Sequence, residues 1–315
     1  MAVDADTMVE RRRLRRKLSF WRVIAFLVAA GAILAVAGFG AKDNFGAQIA
    51  RVPITGVIGD DWRQREFLRK LGETDRVKAV ILAINSPGGT TAGGEALYEA
   101  IRTLSEKKPV VATIGTVGAS AAYLAAIAAD RVIARETSIT GSIGVLFQWA
   151  NFVELAQKVG VDMRVVKSDP LKAEPSPFNE DTPEETQVLA DLITDSHKWF
   201  LERVADRRGM TAAQARELGN GRIWSGRRAI DLNIIDAIGG EETARAWLVS
   251  ERGVSEDAKI VEWTVDGALN ELGISGRFAA FFRKLDGLQK LANKVGELVP
   301  VDGLMSVWEP QAIED

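Results

Sequence analysis

Cysteine is absent from the 315 residues, and histidine occurs once. Without cysteine the chain has no disulfide, no thiol nucleophile and no thiolate metal site. One histidine excludes zinc sites built on several imidazoles. His197 also falls within a helical stretch, four residues after Ile193 and four before Leu201. That spacing suits packing or surface exposure better than catalysis, so a Ser-His-Asp triad is disfavoured. No cofactor and no metal is expected. Fixed-period repeats and low-complexity tracts are missing too.

The net charge of −3 conceals an asymmetry. Residues 1–22 hold seven basic side chains against Asp4, Asp6 and Glu10, a local +4, which leaves −7 on the remainder. An acidic body argues against nucleic acid as a partner, because phosphate binding needs a basic surface. Residues 23–41 then form an uncharged run, VIAFLVAAGAILAVAGFGA. As a helix it extends about 28 Å, close to the hydrocarbon thickness of a bilayer. With the basic residues before it and Phe20 and Trp21 at its border, it reads as a transmembrane anchor. The positive-inside rule puts residues 1–22 in the cytoplasm and the rest outside, which for a two-membrane cell means an inner-membrane protein with a periplasmic body. A cleaved signal peptide is the alternative, with Ala35-Val36-Ala37 as a small-x-small cleavage site.

Beyond residue 48, strand-like and helix-like segments alternate. Strands are expected at 48–57, 77–84, 109–115, 131–134, 142–147 and 162–167. Helices are expected at 61–72, 91–104, 120–129 and 151–160. The runs at 77–84 and 109–115 are apolar on both faces, as in a central strand covered by helices. This alternation signifies an α/β domain with a parallel core sheet flanked by helices. Residues 168–182 contain three prolines and read as an irregular loop. Thr182-Pro183-Glu184-Glu185 opens a long helix to about Arg208, with Thr182 and Glu185 forming a capping box. Shorter elements follow: helices at 211–218, 225–231 and 240–250, and extended segments near 222–224 and 258–264. Four regions result: a cytoplasmic tail 1–22, an anchor 23–41, a globular domain 48–264, and an amphipathic segment 265–315.

Three segments follow core strands, where ligands collect in open α/β sheets. Asn85-Ser86-Pro87-Gly88-Gly89 can bring backbone N–H groups close to a ligand, as an oxyanion hole requires. It can equally be a plain strand-to-helix turn. Gly118-Ala119-Ser120-Ala121-Ala122-Tyr123 places Ser120 at the opening of a helix. That serine is either an N-cap or, with small neighbours leaving room for a carbonyl, a nucleophile. A nucleophilic serine needs a base, and without imidazole the remaining choice is a lysine kept neutral by burial. The loop 166–178 offers Lys172 among Leu171, Ala173 and Phe178.

Taken together, NSPGG at 85–89, GASAAY at 118–123, TGSIGV at 140–145 and the VKS…K…SPF stretch at 166–178 resemble the bacterial signal peptide peptidase A family. The resemblance spans roughly residues 48–250. It implies a ClpP/crotonase-like fold and a membrane-anchored serine endopeptidase. It further implies Ser120 as nucleophile, Lys172 as general base and Ser142 as the hydroxyl that orients the lysine, with the N–H groups of Gly89 and Ser120 forming the oxyanion hole. The family's short members form homo-oligomeric rings in which one subunit's serine meets its neighbour's lysine. Their substrates are remnant signal peptides in the membrane. Two departures stand out. Ala121-Ala122 replaces glycines common in relatives, which narrows the pocket. Asp169 replaces a glycine, and a carboxylate close to Lys172 would favour the charged amine. Two other readings fit parts of the pattern: a crotonase-type acyl-CoA enzyme, and a non-catalytic membrane scaffold that binds peptides or proteins.

Overall fold

The computed structural model describes residues 21–28, 46–265 and 305–307. The chain divides into residues 1–47 and 48–315, each considered by itself. In the first unit residues 21–28 are helical (α1), with Val23, Phe26, Leu27 and Val28 exposed. The rest of the expected 23–41 span lies outside the described residues. Among the described residues no helix is long and apolar enough to cross a membrane.

The second unit opens with β1 (Gln48–Ile58), α2 (Trp62–Glu73), β2 (Val77–Thr90), α3 (Thr91–Ser105), β3 (Val110–Ala119), α4 (Ala121–Ala128) and β4 (Arg131–Ala134). These four strands lie side by side in sequence order and all pair in parallel. Right-handed crossovers between neighbours in that order put α2, α3 and α4 on one face. Side-chain parity agrees. Ala50, Val52 and Ile54, Val80, Leu82 and Ile84, and Val110, Ala112 and Ile114 form one core with Leu97, Ile101, Leu104 and all of α4. The opposite parity, Ile49, Ile81, Val111 and Ile133, is also buried. It is covered by α9 (Glu241–Arg252), which packs on β2 and β3 through Ala244 and Leu248. Burial on both faces is why these strands read as continuous apolar runs.

Further strands close the sheet. At one side β8 (Lys259–Glu262) runs parallel to β1, and at the other β7 (Ala237–Ile238) runs parallel to β4. Beyond the upper half of β3 come β5 (Ile139–Gly141), parallel, and β6 (Ile223–Ser225), antiparallel to β5. A three-residue strand, β9 (Met305–Val307), runs antiparallel to the end of β2. The sheet is therefore mixed: parallel in its core, antiparallel at β6 and β9. The longest helix, α6 (Pro183–Arg208), packs on α4 and on α7 (Ala212–Leu218). It starts at the expected capping box. The Thr182 side chain accepts from Glu185 N–H at 3.2 Å, and Glu185 Oε2 accepts from Thr182 N–H at 2.9 Å. Between β5 and α6 only α5 (Val153–Lys158) is helical.

Two expected strands are not formed. Residues 162–167 are irregular, and the strand expected at 142–147 lies earlier, at Ile139–Gly141. The apolar alternation of Val161, Met163 and Val165 is strand-like, yet these side chains are exposed. A strand needs a partner for its backbone, and this segment pairs with none of the nine strands described. A third difference concerns the glycine segments. Asn85–Gly89 and Gly115–Ala119 are not turns but extensions of β2 and β3. Ser86 explains the first. Its buried hydroxyl donates to Gly56 O at 2.6 Å and accepts from Gly88 N–H at 3.2 Å, where the β1–β2 register shifts.

Tyr123 anchors α4. It is fully buried, and its hydroxyl donates to Ile234 O at 3.0 Å. Burial raises the phenol above its ordinary value of about 10. A raised folded-state value stabilises the fold below pH about 10, and that stability is lost as the pH climbs above it. Tyr123→Phe should therefore lower stability at pH 7 by about 1–2 kcal/mol, because Ile234 O loses its donor. It should also flatten the alkaline fall. Urea unfolding from pH 7 to 11 measures both; an unchanged alkaline slope would remove Tyr123 as its source.

Candidate active site

The site is built where β3 changes partner. Val111–Ile114 pair with β4, but Val117–Ala119 pair with β5. The chain then reverses at Ser120 into α4. Ser120 takes φ 57 and ψ −123, a conformation that strains any residue with a Cβ. Two backbone bonds hold it there: Ser120 N–H donates to Gly141 O at 2.8 Å, and Ser120 O accepts from Leu124 N–H at 2.9 Å. Ser120 is not an N-cap, since its side chain makes no cap bond to α4, and a sharp strand-to-helix turn is a geometry that can present a nucleophilic serine. Ser120 is buried, as are Ala119, Ala121 and Ala122 around it.

The register Ala119↔Gly141 brings Ser142 alongside Ser120. Ser142 also has positive φ, 50°, and its N–H donates to Arg222 O at 2.7 Å. Thr140, fully buried, donates its hydroxyl to Gly118 O at 2.8 Å and so ties β5 to the residues before Ser120. Gly89 sits at the end of β2, beside Ile58 of β1. A Cβ there would lie 1.8 Å from Ile58 O, so no side chain fits. On the next helix, a Cβ on Gly94 would fall 2.9 Å from Ala121 Cβ, which shows how closely α3 approaches the start of α4.

The N–H of Ser120, expected to serve an oxyanion hole, has a backbone acceptor in this structure. Ser120 N–H is already committed to Gly141 O and has no second proton to offer. Ala121, the first residue of α4, has an N–H with no acceptor within the helix, and it stands at the positive end of the helix dipole. The N–H at the helix start beside Ser120 is therefore that of Ala121. Nothing in the sequence could reveal this, because the bond to Gly141 spans 21 positions and depends on strand register.

Lys172 stands apart from Ser120, Ser142 and Gly89. It is exposed, in the irregular arm between α5 and α6, and lines a cavity of about 530 Å³. Residues 163–179 wall that cavity; none of the other three candidates borders it. Ala173, directly after Lys172, has φ 61. Three of the four non-glycine positive-φ residues described are thus candidates or their neighbours, a clustering typical of functional sites. The carboxylate of Asp169 does not pair with Lys172; it accepts from Leu171 N–H at 3.3 Å within its own turn. Beneath the arm Lys167 is ion-paired with Glu174, whose side chain is almost fully buried and also accepts from Asn179 Nδ2 at 3.2 Å. His197 lies half-buried in the middle of α6.

Chemically, a strained buried serine with a helix N-terminus behind it and a glycine strand beside it can attack a carbonyl and hold the resulting oxyanion. Comparison with known proteins points the same way. The family model for peptidase family S49 matches residues 102–255, and that for Clp protease matches residues 55–140. A candidate protease of Synechocystis is 36% identical over 69% of this chain and 78% of its own length. A candidate signal peptide peptidase SppA of Enterococcus faecium is 30% identical over 70% of this chain and 67% of its own. The chloroplastic serine protease SPPA of Arabidopsis thaliana is 29% identical over 76% of this chain and 36% of its own.

Gly141 supplies a direct test of how the turn is held. Its φ is 94°, and a Cβ would lie 2.4 Å from the Trp224 ring. Gly141→Ala combines backbone strain with a steric clash, and should cost about 3 kcal/mol or more. Gly160→Ala, at φ 73° with nothing within 4 Å, carries the strain alone and should cost about 1 kcal/mol. Equal urea midpoints for the two variants would contradict the packing of β5 against Trp224.

Proposed function

Because the chain belongs to peptidase family S49 and is a serine protease, we propose that Ser120 is its nucleophile and that Lys172 of a neighbouring copy is its general base. The observation that carries this reading is the contrast between the two residues. Ser120 is preorganised on a strained, buried turn, whereas Lys172 is carried on an exposed arm with its own cavity. That arm leaves Met163, Val165, Val166, Leu171 and Phe178 exposed, and Val166 entirely so. Apolar surface of this extent favours burial against another protein surface, here a second copy in a homo-oligomeric ring.

In the proposed reaction Ser120 Oγ attacks the scissile carbonyl while neutral Lys172 Nζ takes its proton. The N–H groups of Gly89 and Ala121 stabilise the oxyanion. Ser142 hydrogen-bonds the lysine and fixes its direction. The protonated lysine then donates to the leaving amine, and an acyl-enzyme on Ser120 remains. Lys172 next deprotonates a water, which hydrolyses the ester and frees the enzyme. The narrow alanine-lined surroundings of Ser120 suit small apolar side chains. Remnant signal peptides are the proposed substrates, and residues 23–41 the proposed membrane anchor. Exposed Val23, Phe26, Leu27 and Val28 on α1 support the latter. The catalytic body would then lie outside the cytoplasm.

Ser120→Ala should reduce peptidase activity about a thousandfold or more, as losing a covalent nucleophile does elsewhere. Lys172→Arg should be comparably inactive, since a guanidinium stays protonated. Mixing Ser120→Ala with Lys172→Ala subunits should restore roughly a quarter of wild-type activity, the random share of neighbour pairs that hold both groups. Full activity in Ser120→Ala would sink the mechanism. An inactive mixture, under conditions where wild-type subunits exchange, would sink the shared site.

A further inference from the structure

The arm between α5 and α6 inverts the usual sorting of side chains. It leaves Met163, Val165 and Phe178 in water, yet it buries a carboxylate: the Glu174 side chain is only 1% exposed. A charge taken out of water needs a partner of opposite sign, and Lys167 supplies it. The Lys167 side chain is itself largely covered, at 19% exposure. Its amine also donates to Pro170 O at 3.3 Å, and Asn179 Nδ2 donates to Glu174 Oε1 at 3.2 Å. Such a pair adds little net stability over apolar side chains of the same size, because desolvation offsets the attraction. What it does specify is shape.

That shape belongs to the loop carrying Lys172. Residues 167 and 174 are its two ends, so the pair closes residues 168–173 into a ring. Inside the ring the backbone turns tightly. Lys172 N–H donates to Asp169 O at 3.1 Å, Leu171 N–H donates to Asp169 Oδ1 at 3.3 Å, and Ala173 takes φ 61. Lys167, Lys172 and Glu174 line one cavity, whose walls among the described residues come from 163–179. None of those residues belongs to a helix or strand, so regular structure does not set the loop's conformation.

We propose that Lys167 and Glu174 are positioning residues: their buried ion pair is a clasp that shapes the loop 168–173 and so aims the Lys172 amine at the serine of a neighbouring copy. This rests on the proposed role of Lys172. A general base must arrive within hydrogen-bond reach of the proton it takes. Misplacing a reacting group by about 1 Å can lower a rate about a hundredfold. A loop without a helix or strand to hold it reaches that precision only if its ends are fixed.

Subunit mixing separates positioning from folding. In a mixture of Ser120→Ala and Lys172→Ala chains, the Ser120→Ala chain supplies the lysine and the Lys172→Ala chain supplies the serine. Lys167→Met added to the Ser120→Ala chain should lower the regained kcat about tenfold to a hundredfold, with KM within about twofold. Added to the Lys172→Ala chain it should change nothing, because that arm presents no base. Glu174→Gln should behave as Lys167→Met does, whereas Lys167→Arg, which keeps the charge, should retain most of the activity. Loss from both placements alike makes the pair a structural element only and overturns the proposal, as does loss from neither. Amide hydrogen exchange at Leu171 and Lys172 gives a reading free of activity. Lys167→Met in Ser120→Ala protein should speed it and leave β2 and β3 as they were; unchanged exchange overturns the clasp. Mixtures with intact clasps that regain no activity count against the proposed function instead, and exchange then decides the clasp.

Discussion

The whole site depends on one hydrogen bond and the register behind it: Ser120 N–H to Gly141 O, 2.8 Å. It closes the β3–β5 pairing that begins at Val117, after β3 has left β4 at Ile114. Because β3 is diverted to β5, α4 begins directly after Ser120, Ser142 lies alongside, and the edge of β2 past Ser86 is released. Each consequence is a piece of the proposed chemistry. The cost is local strain at Ser120 and Ser142, of the order of 1–3 kcal/mol each. Surrounding contacts make that tolerable: Thr140 on Gly118 O, Ser138 on Ile114 O at 3.1 Å, and the fully buried alanines of α4. These are short, satisfied and buried polar contacts, the kind that lock a backbone rather than merely stabilise it.

Much of the scaffold was legible in the sequence because its signal is local. The runs VKAVILAI and PVVATIG are apolar at every position since both faces of the sheet are covered, and the capping box at Thr182 and Glu185 needs only four residues. What escaped depends on partners distant in sequence. The glycines of NSPGG suggest a turn, yet Ser86 bonds Gly56 O, 30 residues away, and keeps the chain extended. Ser120 N–H looks available until register delivers Gly141 O. The pairing of Met305–Val307 with Gly88–Thr90 links segments some 217 positions apart and leaves no pattern in either. Motif spacing thus located the candidate residues but not which of their atoms are free.

The segment 161–167 is instructive in the opposite sense. Its alternation of Val161, Met163 and Val165 is a strand signal that the isolated chain does not satisfy. Either the pattern is meaningless or the partner lies outside the chain. The second alternative accounts for more. Burying a large aliphatic side chain is worth about 1.5–3 kcal/mol, so an arm that leaves Met163, Val165, Val166, Leu171 and Phe178 in water is costly to maintain alone. A neighbouring copy would cover it and complete its backbone pairing in one step.

The proposed separation of Ser120 and Lys172 between copies has a physical logic. A serine peptidase with both groups in one chain is active as soon as it folds. With Lys172 on an arm that needs a neighbour, activity would follow assembly, and assembly would follow local concentration, which confinement of a membrane-anchored chain to a surface raises.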